Sequence, residues 1–370
     1  MRSKARSKLG MLSDEEFIQR FREIGRLALA KECQVSTRSI DSRRERIEGM
    51  TGEPLYPGGA GGAGRLEHGA PPVVEGACFS RQDPPPAHRS VEELVEYRRQ
   101  QYRQKDAHEQ GRKRIRIDIK MDGPIGILWE GDPHVDDDGA DIDALEEHAL
   151  LARDTEGVFA CCVGDVTNNW VGRLARLYAE QSTTAAEAWL LAEWWLNLHG
   201  DSMLWLVGGN HEAFSGASDP IRWIMRAKAA AYEGDEVRAA LHLPGDRVVR
   251  IHNRHAFPGH SMYNPAHGVG RELQFGKRDH IAVAGHIHTS GYMVLRDPSD
   301  ASIVMHAVQV ASYKRHDLYS RQKGFKDNRL GPSALTVINP VLSDHHPDFI
   351  KLFWEPREGV DYLSFLRSRG

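Results

Sequence analysis

Ile125-Gly126-Ile127-Leu128-Trp129-Glu130-Gly131-Asp132-Pro133-His134 begins as an apolar run of strand length and ends on a glycine, a carboxylate and an imidazole. The run Ile125 to Trp129 reads as a buried β-strand, bounded by a Gly/Pro turn signal. Asp132 and His134 stand two apart, so in locally extended chain they point to the same side and can donate to one ligand. Four further apolar runs follow the same pattern. Val158 to Val163 leads into Gly164-Asp165, and Met203 to Val207 into Gly209-Asn210-His211-Glu212. Val248 to Ile251 leads towards His255 and His260, and Ile281 to Ala284 into Gly285-His286-Ile287-His288. Helical patterns separate the runs: Asp141 to Arg153 carries Ile142, Leu145 and Ala149 on one face, and Thr184 to Leu198 holds three tryptophans. Alternation of strands and helices is the signature of an α/β domain.

In open α/β sheets ligands gather beyond the carboxyl ends of the strands, so five clusters distant in sequence can converge on one cleft. A single Asp-x-His would be an ordinary surface or core pair. Five motifs in order, each at a strand end, are far more specific.

These motifs resemble the calcineurin-like metallophosphoesterase superfamily, whose ordered signatures are D-x-H, G-D-x-x-N/D, G-N-H-E/D, a lone strand-end H and G-H-x-H. The match covers Arg114 to about Ser290. The resemblance implies a four-layer αββα sandwich that holds two divalent metal ions, Mn²⁺ first, with Fe or Zn²⁺ as alternatives. One ion would take Asp132, His134, Asp165 and His288. The other would take Asp165 as a shared bridge, Asn210, His286 and the lone histidine. His255 ends its strand directly and is preferred for that place. His260 follows Pro258-Gly259 in a loop and is the alternative ligand or a substrate neighbour. By the same resemblance a metal-bridging hydroxide attacks phosphorus, His211 protonates the leaving oxygen or stabilises the transition state, and Asn168 contacts phosphate. The bland alternative for His211 is a structural turn histidine. Asp136, Asp137 and Asp138 read as a solvated approach to a helix rather than a third metal site, and His252 as a strand histidine without a role.

One departure is informative. Phosphoprotein phosphatases of the superfamily carry G-D-x-V-D-R-G, whereas this chain has Gly164-Asp165-Val166-Thr167-Asn168-Asn169-Trp170. Without the arginine that grips phosphate, protein dephosphorylation is disfavoured and a phosphodiesterase or nuclease is expected.

The flanking chain bears on the substrate. Residues 1–12 form a basic tail and residues 13–48 a helical module, with Ser13 as N-cap before Asp14, Glu15 and Glu16. Leu29 to Ile40 resembles a helix-turn-helix, followed by a basic helix whose Arg38, Arg43, Arg44 and Arg46 are candidate nucleic-acid contacts. Gln34 stands at a turn position that favours Gly, and Arg43 where such motifs have an apolar residue. A protein-docking helical hairpin is the competing reading. A phosphoesterase fused to such a module resembles proteins encoded in bacteriophages or prophages. Residues 49–88, rich in Gly and Pro, read as a flexible linker. Residues 89–113 read as a connecting helix, and residues 114–370 as the phosphoesterase domain.

Formal net charge is −4, unevenly spread: residues 1–48 carry 12 Lys/Arg against 8 Asp/Glu, and residues 89–116 carry 9 against 5. These flanks either face a polyanion or are solvated helix faces. No run of membrane-spanning length and no secretory signal is evident, so an intracellular, cytoplasmic protein without a membrane partner is expected. Cys33, Cys78, Cys161 and Cys162 lack CxxC spacing and read as buried reduced thiols. Two further functions remain open: a small-molecule or nucleotide phosphatase with a docking arm, and a non-catalytic DNA-binding regulator that retains the fold.

Overall fold

The structure is a computed structural model that describes residues 8–51, 55, 73–75, 78, 80–82, 88–111, 114–261, 263–300, 303–315 and 330–369. The chain divides into two compact units, Met1–Tyr97 and Arg98–Gly370.

In the first unit, helices α1 (Lys8–Met11), α2 (Asp14–Cys33) and α3 (Thr37–Thr51) enclose a core of Leu9, Phe17, Phe21, Leu29, Ala30, Cys33, Ile40 and Ile47. Ser13 and Glu16 cap α2 reciprocally, with Glu16 N donating to Ser13 Oγ at 3.1 Å and Ser13 N donating to the Glu16 carboxylate at 2.8 Å. Gly25, at φ 75°, kinks α2 into two segments. Gln34 closes α2 in the left-handed conformation at φ 53°, so the turn that favours glycine is made here by a polar residue. The module exceeds 13–48: Leu9 and Leu55 join its core, and Leu55 N donates to Glu48 at 2.7 Å.

Two of the arginine readings change. Arg43 turns inward, donating to the carbonyls of Leu9 and Leu12 and to Asp14. It caps the carbonyls that end α1 instead of facing solvent. Arg44 lies along Glu48 at 3.6 Å and Glu45 at 3.9 Å. Arg46, 58% exposed at its side chain, pairs with Asp14, and Arg38 is exposed. Most of the expected linker lies outside the described residues. Within it, however, β1 (Val73–Glu75) pairs antiparallel with β2 (Ser80–Gln82), because Val73-Val74 supplies the β-branched residues that the Gly/Pro tracts lack. Cys78 is exposed, contrary to the buried thiol expected.

Helix α4 (Val91–Gly111) crosses the boundary and buries none of its residues. The second unit then runs β3 (Ile115–Asp118), β4 (Ile125–Glu130), α5 (Ile142–Asp154), β5 (Val158–Cys162), α6 (Ala185–Leu198), β6 (Met203–Val207), α7 (Asn210–Ala213), α8 (Pro220–Met225), β7 (Ala231–Glu233), β8 (Glu236–Leu243), β9 (Arg247–Arg254), α9 (His267–Phe275), β10 (Ile281–Ala284), β11 (Gly291–Arg296), β12 (Val304–Gln309), β13 (Ser333–Ile338), β14 (Ile350–Phe353) and α10 (Pro356–Arg367).

Two six-stranded mixed sheets result, ordered β14-β13-β4-β5-β6-β7 and β11-β12-β10-β9-β8-β3. β4 to β7 are parallel, as are β9, β10 and β12. The inner faces meet in one core that includes Ile127, Trp129, Cys161 and Trp205 from the first sheet and Leu241, Ile251, Ile281 and Val283 from the second. Helices α5, α6 and α8 pack on the outer face of the first sheet, α10 joins them there, and α9 covers the second. The expected four-layer αββα sandwich is therefore present. Cys161 and Cys162 face opposite sides of β5, one towards the second sheet and one towards the helices. Trp205 donates across the sandwich to Asn253 at 2.8 Å, and Trp129 to Thr336 at 2.8 Å, so the polar edges of these two buried indoles are satisfied.

Candidate metal centre

All five motif-bearing strands, β4, β5, β6, β9 and β10, end on the same side of the sandwich, and their following turns meet. Three overlapping groups of donor atoms form there, each within 4.8 Å: Asp132, His134 and His288; His134, Asp165 and His211; Asp165, His255 and His286. His288 Nε2 lies 3.1 Å from Asp132 Oδ2, and His255 Nε2 lies 3.2 Å from Asp165 Oδ2. Asn210 Oδ1 joins the third group at 2.9 Å from both His255 Nε2 and His286 Nδ1. Asp165 is central, with His134 Nε2 at 4.0 Å on one side.

The hydrogen-bond chemistry bears on whether these residues fit a cation. His255 Nδ1 is 2.9 Å from the Val163 carbonyl, which can only accept, so Nδ1 carries the proton. Were His255 neutral, it would turn a bare Nε2 lone pair towards a carboxylate oxygen, an amide oxygen and, at 3.1 Å, His286 Nδ1. Converging lone pairs repel unless a proton or a cation lies among them. Asp132 Oδ1 and both nitrogens of His134 are likewise buried without a hydrogen-bond partner. The mixed carboxylate, imidazole and amide donor set fits a transition-type divalent ion.

A proton on Nε2 is one way to relieve that crowding, and the neighbouring carboxylates favour it where no cation stands. Burial works to raise the Asp165 carboxyl, yet the charges of His255, His211 and His134 carry it well below the usual carboxylate range. His255, penalised by burial, is raised to about 10 by Asp165 and Asp132. His134 is pushed well below its ordinary value, first by burial and then by His211.

The backbone is shaped to the same end. His134, Asp165, His286 and His288 adopt positive φ of 43°, 55°, 70° and 51°. Left-handed non-glycine residues concentrate at sites where the surroundings over-determine them. At Asp165 the restraint is Glu212, whereas His134 N is held by the Asp165 carbonyl and His286 N by the Asp132 carboxylate. Buried, the Glu212 carboxylate accepts from Gly209 N at 2.7 Å, Val166 N at 2.8 Å and Asp165 N at 3.0 Å, which ties two motif turns together. Burial, then the Asp165 charge, raises Glu212 to about 7. Gly209 is required because a Cβ there would overlap the Asp165 carboxylate.

His211 lies beside the donors, with Nε2 3.8 Å from Asp165 Oδ2 and its backbone N donating to Asp165 Oδ1 at 3.0 Å. Its Nδ1 donates to the Asn168 carbonyl, which fixes the tautomer and leaves Nε2 facing the centre. Asn168 is placed differently from expectation: its amide donates to Asp137 at 2.8 Å and Gln181 at 2.9 Å. Its backbone carbonyl holds His211, while its amide nitrogen is engaged with Asp137 and Gln181. Asn169 holds the His211 carbonyl at 2.6 Å and Ser215 Oγ at 2.8 Å.

Of the three aspartates before α5, whose N-cap is Asp141, only Asp138 is exposed as a solvated approach would be, while Asp137 is half-buried and Asp136 departs from that reading. Asp136 is buried and accepts from Asn168 N at 2.7 Å and Gln181 Nε2 at 3.0 Å. Asp137 pairs with Lys314 at 2.8 Å and Asp138 accepts from Ser182. Sequence reading missed Asp136, Gln181 and Glu212 as organisers. Only Glu212 carried a signal, its place directly after Asn210-His211. His260 is exposed and belongs to none of the donor groups. His252 is buried on the far side of its strand and bonded to Glu236 at 3.0 Å.

No family model matches the chain, and no curated protein matches it. Similar solved structures include a conserved uncharacterized protein, a predicted phosphoesterase, from Streptococcus pneumoniae TIGR4, at 12% identity over 63% of this chain and 99% of that one with a TM-score of 0.26. A calcineurin-like phosphoesterase from Bacillus subtilis is 11% identical over 62% of this chain and 88% of that one, TM-score 0.32. A metallophosphoesterase from Sphaerobacter thermophilus is 14% identical over 66% of this chain and 95% of that one, TM-score 0.29. At such identities and scores these likenesses carry no weight for activity, and the donor geometry is what bears on function.

Proposed function

We propose that this protein is a calcineurin-like, metal-dependent phosphoesterase with two divalent ions, acting as a phosphodiesterase or nuclease on nucleic acid. The observation that carries the reading is the convergence of metal-type donors around Asp165: His255 Nε2, His286 Nδ1 and Asn210 Oδ1 on one side, His134, Asp132 and His288 on the other. The first three would hold one ion and the second three the other, with Asp165 shared. Mn²⁺ is the ion taken first, with Fe or Zn²⁺, which the imidazoles also suit, as alternatives. When bound, such ions acidify water and neutralise charge on a phosphoryl group.

The chain's own residues supply the rest. His211, its Nδ1 proton held by the Asn168 carbonyl, presents Nε2 to the centre, and as an imidazolium would pass its second, Nε2 proton to the leaving oxygen as the phosphorus–oxygen bond breaks and a water oxygen takes its place on phosphorus. Asn168, Asn169 and Glu212 hold that histidine and Asp165 in place, so little reorganisation is needed during reaction. Asn169, where an arginine would grip a phosphoprotein, is engaged with His211 and Ser215. The nucleic-acid part rests on the three-segment helical module with its left-handed turn at Gln34 and on exposed Arg38 and Arg46.

The test is a panel of bis-p-nitrophenyl phosphate, nucleotides, single- and double-stranded DNA, and RNA, offered to Mn²⁺-loaded protein. Metal-dependent hydrolysis of nucleic acid supports the proposal in full. Cleavage of the small diester alone removes the nucleic-acid part, and no turnover on any substrate, with less than one ion bound per chain, removes the whole. The inward turn of Arg43 favours a second reading, a nucleotide or small-molecule phosphatase whose N-terminal arm docks on a protein. Unchanged turnover on every substrate after deletion of residues 1–88 selects it.

A further inference from the structure

His211 does not stand alone at the edge of the centre. Trp170 lies against it on one side, with ring centroids 5.1 Å apart at 65°, and Phe214 on another, at 5.2 Å and 55°. Both are mounted rigidly. Trp170 Nε1 donates to Gln181 at 2.9 Å, and Gln181 is itself anchored on buried Asp136. Phe214 follows α7 directly, its N donating to the Asn210 carbonyl at 3.2 Å. Phe214 nonetheless remains 42% exposed and the neighbouring Val171 37% exposed. Lys314, held by Asp137, brings its ammonium to 5.9 Å from the Trp170 ring. Rings that served only to pack His211 would bury themselves in doing so. These leave apolar surface open beside a cluster of ionisable groups, where water would otherwise be the neighbour.

The position of that surface determines what could use it. His211 Nε2 protonates the leaving oxygen, so whatever is attached to that oxygen must emerge beside His211, which is where the two rings stand. An alkyl leaving group gains little from aromatic faces, whereas a planar heterocycle stacks on them.

We propose that Trp170 and Phe214 form a stacking shelf for the nucleobase of the leaving nucleoside, and that the substrate is a diester with a base-bearing leaving group. This rests on the phosphoesterase reading and narrows its substrate. The shelf is indifferent to base identity because every base has a π face, so it selects for a base without selecting a sequence.

The experiment compares a dinucleoside monophosphate with the same compound lacking the base on its leaving nucleoside, using full-length Mn²⁺-loaded protein. Wild type is expected to lose about tenfold in kcat/KM on the abasic compound, within the range that one base stack supplies. In Phe214→Leu and Trp170→Leu that ratio is expected to fall towards one, and in Phe214→Trp to persist. A wild-type ratio near one, with both compounds hydrolysed, overturns the shelf and leaves the hydrolase intact. If neither compound is hydrolysed the nucleic-acid diesterase reading fails, and binding alone decides the shelf. Saturable quenching of intrinsic fluorescence by a nucleoside monophosphate that disappears in Trp170→Leu supports it, and no quenching in wild type refutes it.

Discussion

Replacing Glu212 by alanine is the sharpest probe of how the centre is built. Its carboxylate serves three buried backbone N–H groups, of Gly209, Val166 and Asp165, at 2.7, 2.8 and 3.0 Å. A hydrogen bond to a charged group contributes about 1.5–3 kcal/mol net, and an abandoned buried donor forfeits its solvation as well. Part of this is returned, because burial and the Asp165 charge already push the Glu212 carboxyl up to about 7, so removing it relieves repulsion. The balance is roughly 3–5 kcal/mol, near the top of the range for single substitutions. For a unit of this size it lowers Tm by about 10 °C. Because the Asp165 turn loses its restraint at φ 55°, metal affinity should also fall by roughly 10–100-fold, as for other groups that orient metal ligands. Thermal unfolding and calorimetric Mn²⁺ titration measure the two effects. Glu212→Gln, which retains one acceptor oxygen, should lie between wild type and alanine. A Tm within about 2 °C of wild type and an unchanged Mn²⁺ affinity in Glu212→Ala would refute the tethering role.

His211→Ala should lower kcat by roughly 10²–10⁴-fold while the bound-metal stoichiometry measured by elemental analysis stays at the wild-type level. Mn²⁺ at about a hundred times its Kd should add about 2.7 kcal/mol to stability, read as a rise in Tm that chelator reverses and Asp165→Asn lacks. Arg43→Ala should destabilise the helical unit by about 2 kcal/mol through loss of its bonds to the Leu9 and Leu12 carbonyls and to Asp14, read by helix-specific circular dichroism. His280 and His306 are held at about 4, both first by burial, His280 then by Arg250 and His306 by His280. The unfolded chain binds those protons near pH 6.5 and the folded one refuses them, so stability is complete above that pH and declines on acidification towards 4. The loss at pH 5 is on the order of 2 kcal/mol per histidine. A Tm against pH profile from 8 to 5 shows it, and His306→Gln should flatten the slope; a slope unchanged in that variant would contradict the assignment.

The donor groups were legible in sequence because strand periodicity and turn chemistry are local, and each motif sets a metal-type side chain just beyond a strand end, in four of the five beside a glycine. Met203–Val207 and Ile281–Ala284 have the same bounds in the fold as in the sequence reading. Strands β11 to β14 were not read at all. Val304–Gln309 and Ser333–Ile338 are buried at every position, so they offer neither alternation nor a polar terminus to mark them. The inward course of Arg43 was equally hidden, since it depends on carbonyls more than thirty positions earlier in the chain. Asp136 illustrates the same limit. Three consecutive aspartates look like a solvated run until Gln181 and the Asn168 amide arrive from elsewhere to occupy the first of them.

The distribution of the cysteines has a practical consequence. Burial holds the Cys161 and Cys162 thiols far above their ordinary range, Cys33 is buried with its thiol raised as well, and Cys78 alone is exposed. Only a thiolate reacts with maleimide at a useful rate. The native chain therefore carries one addressable position for a fluorophore or spin label, between the helical segment and the sandwich, with no cysteine to be engineered in or out.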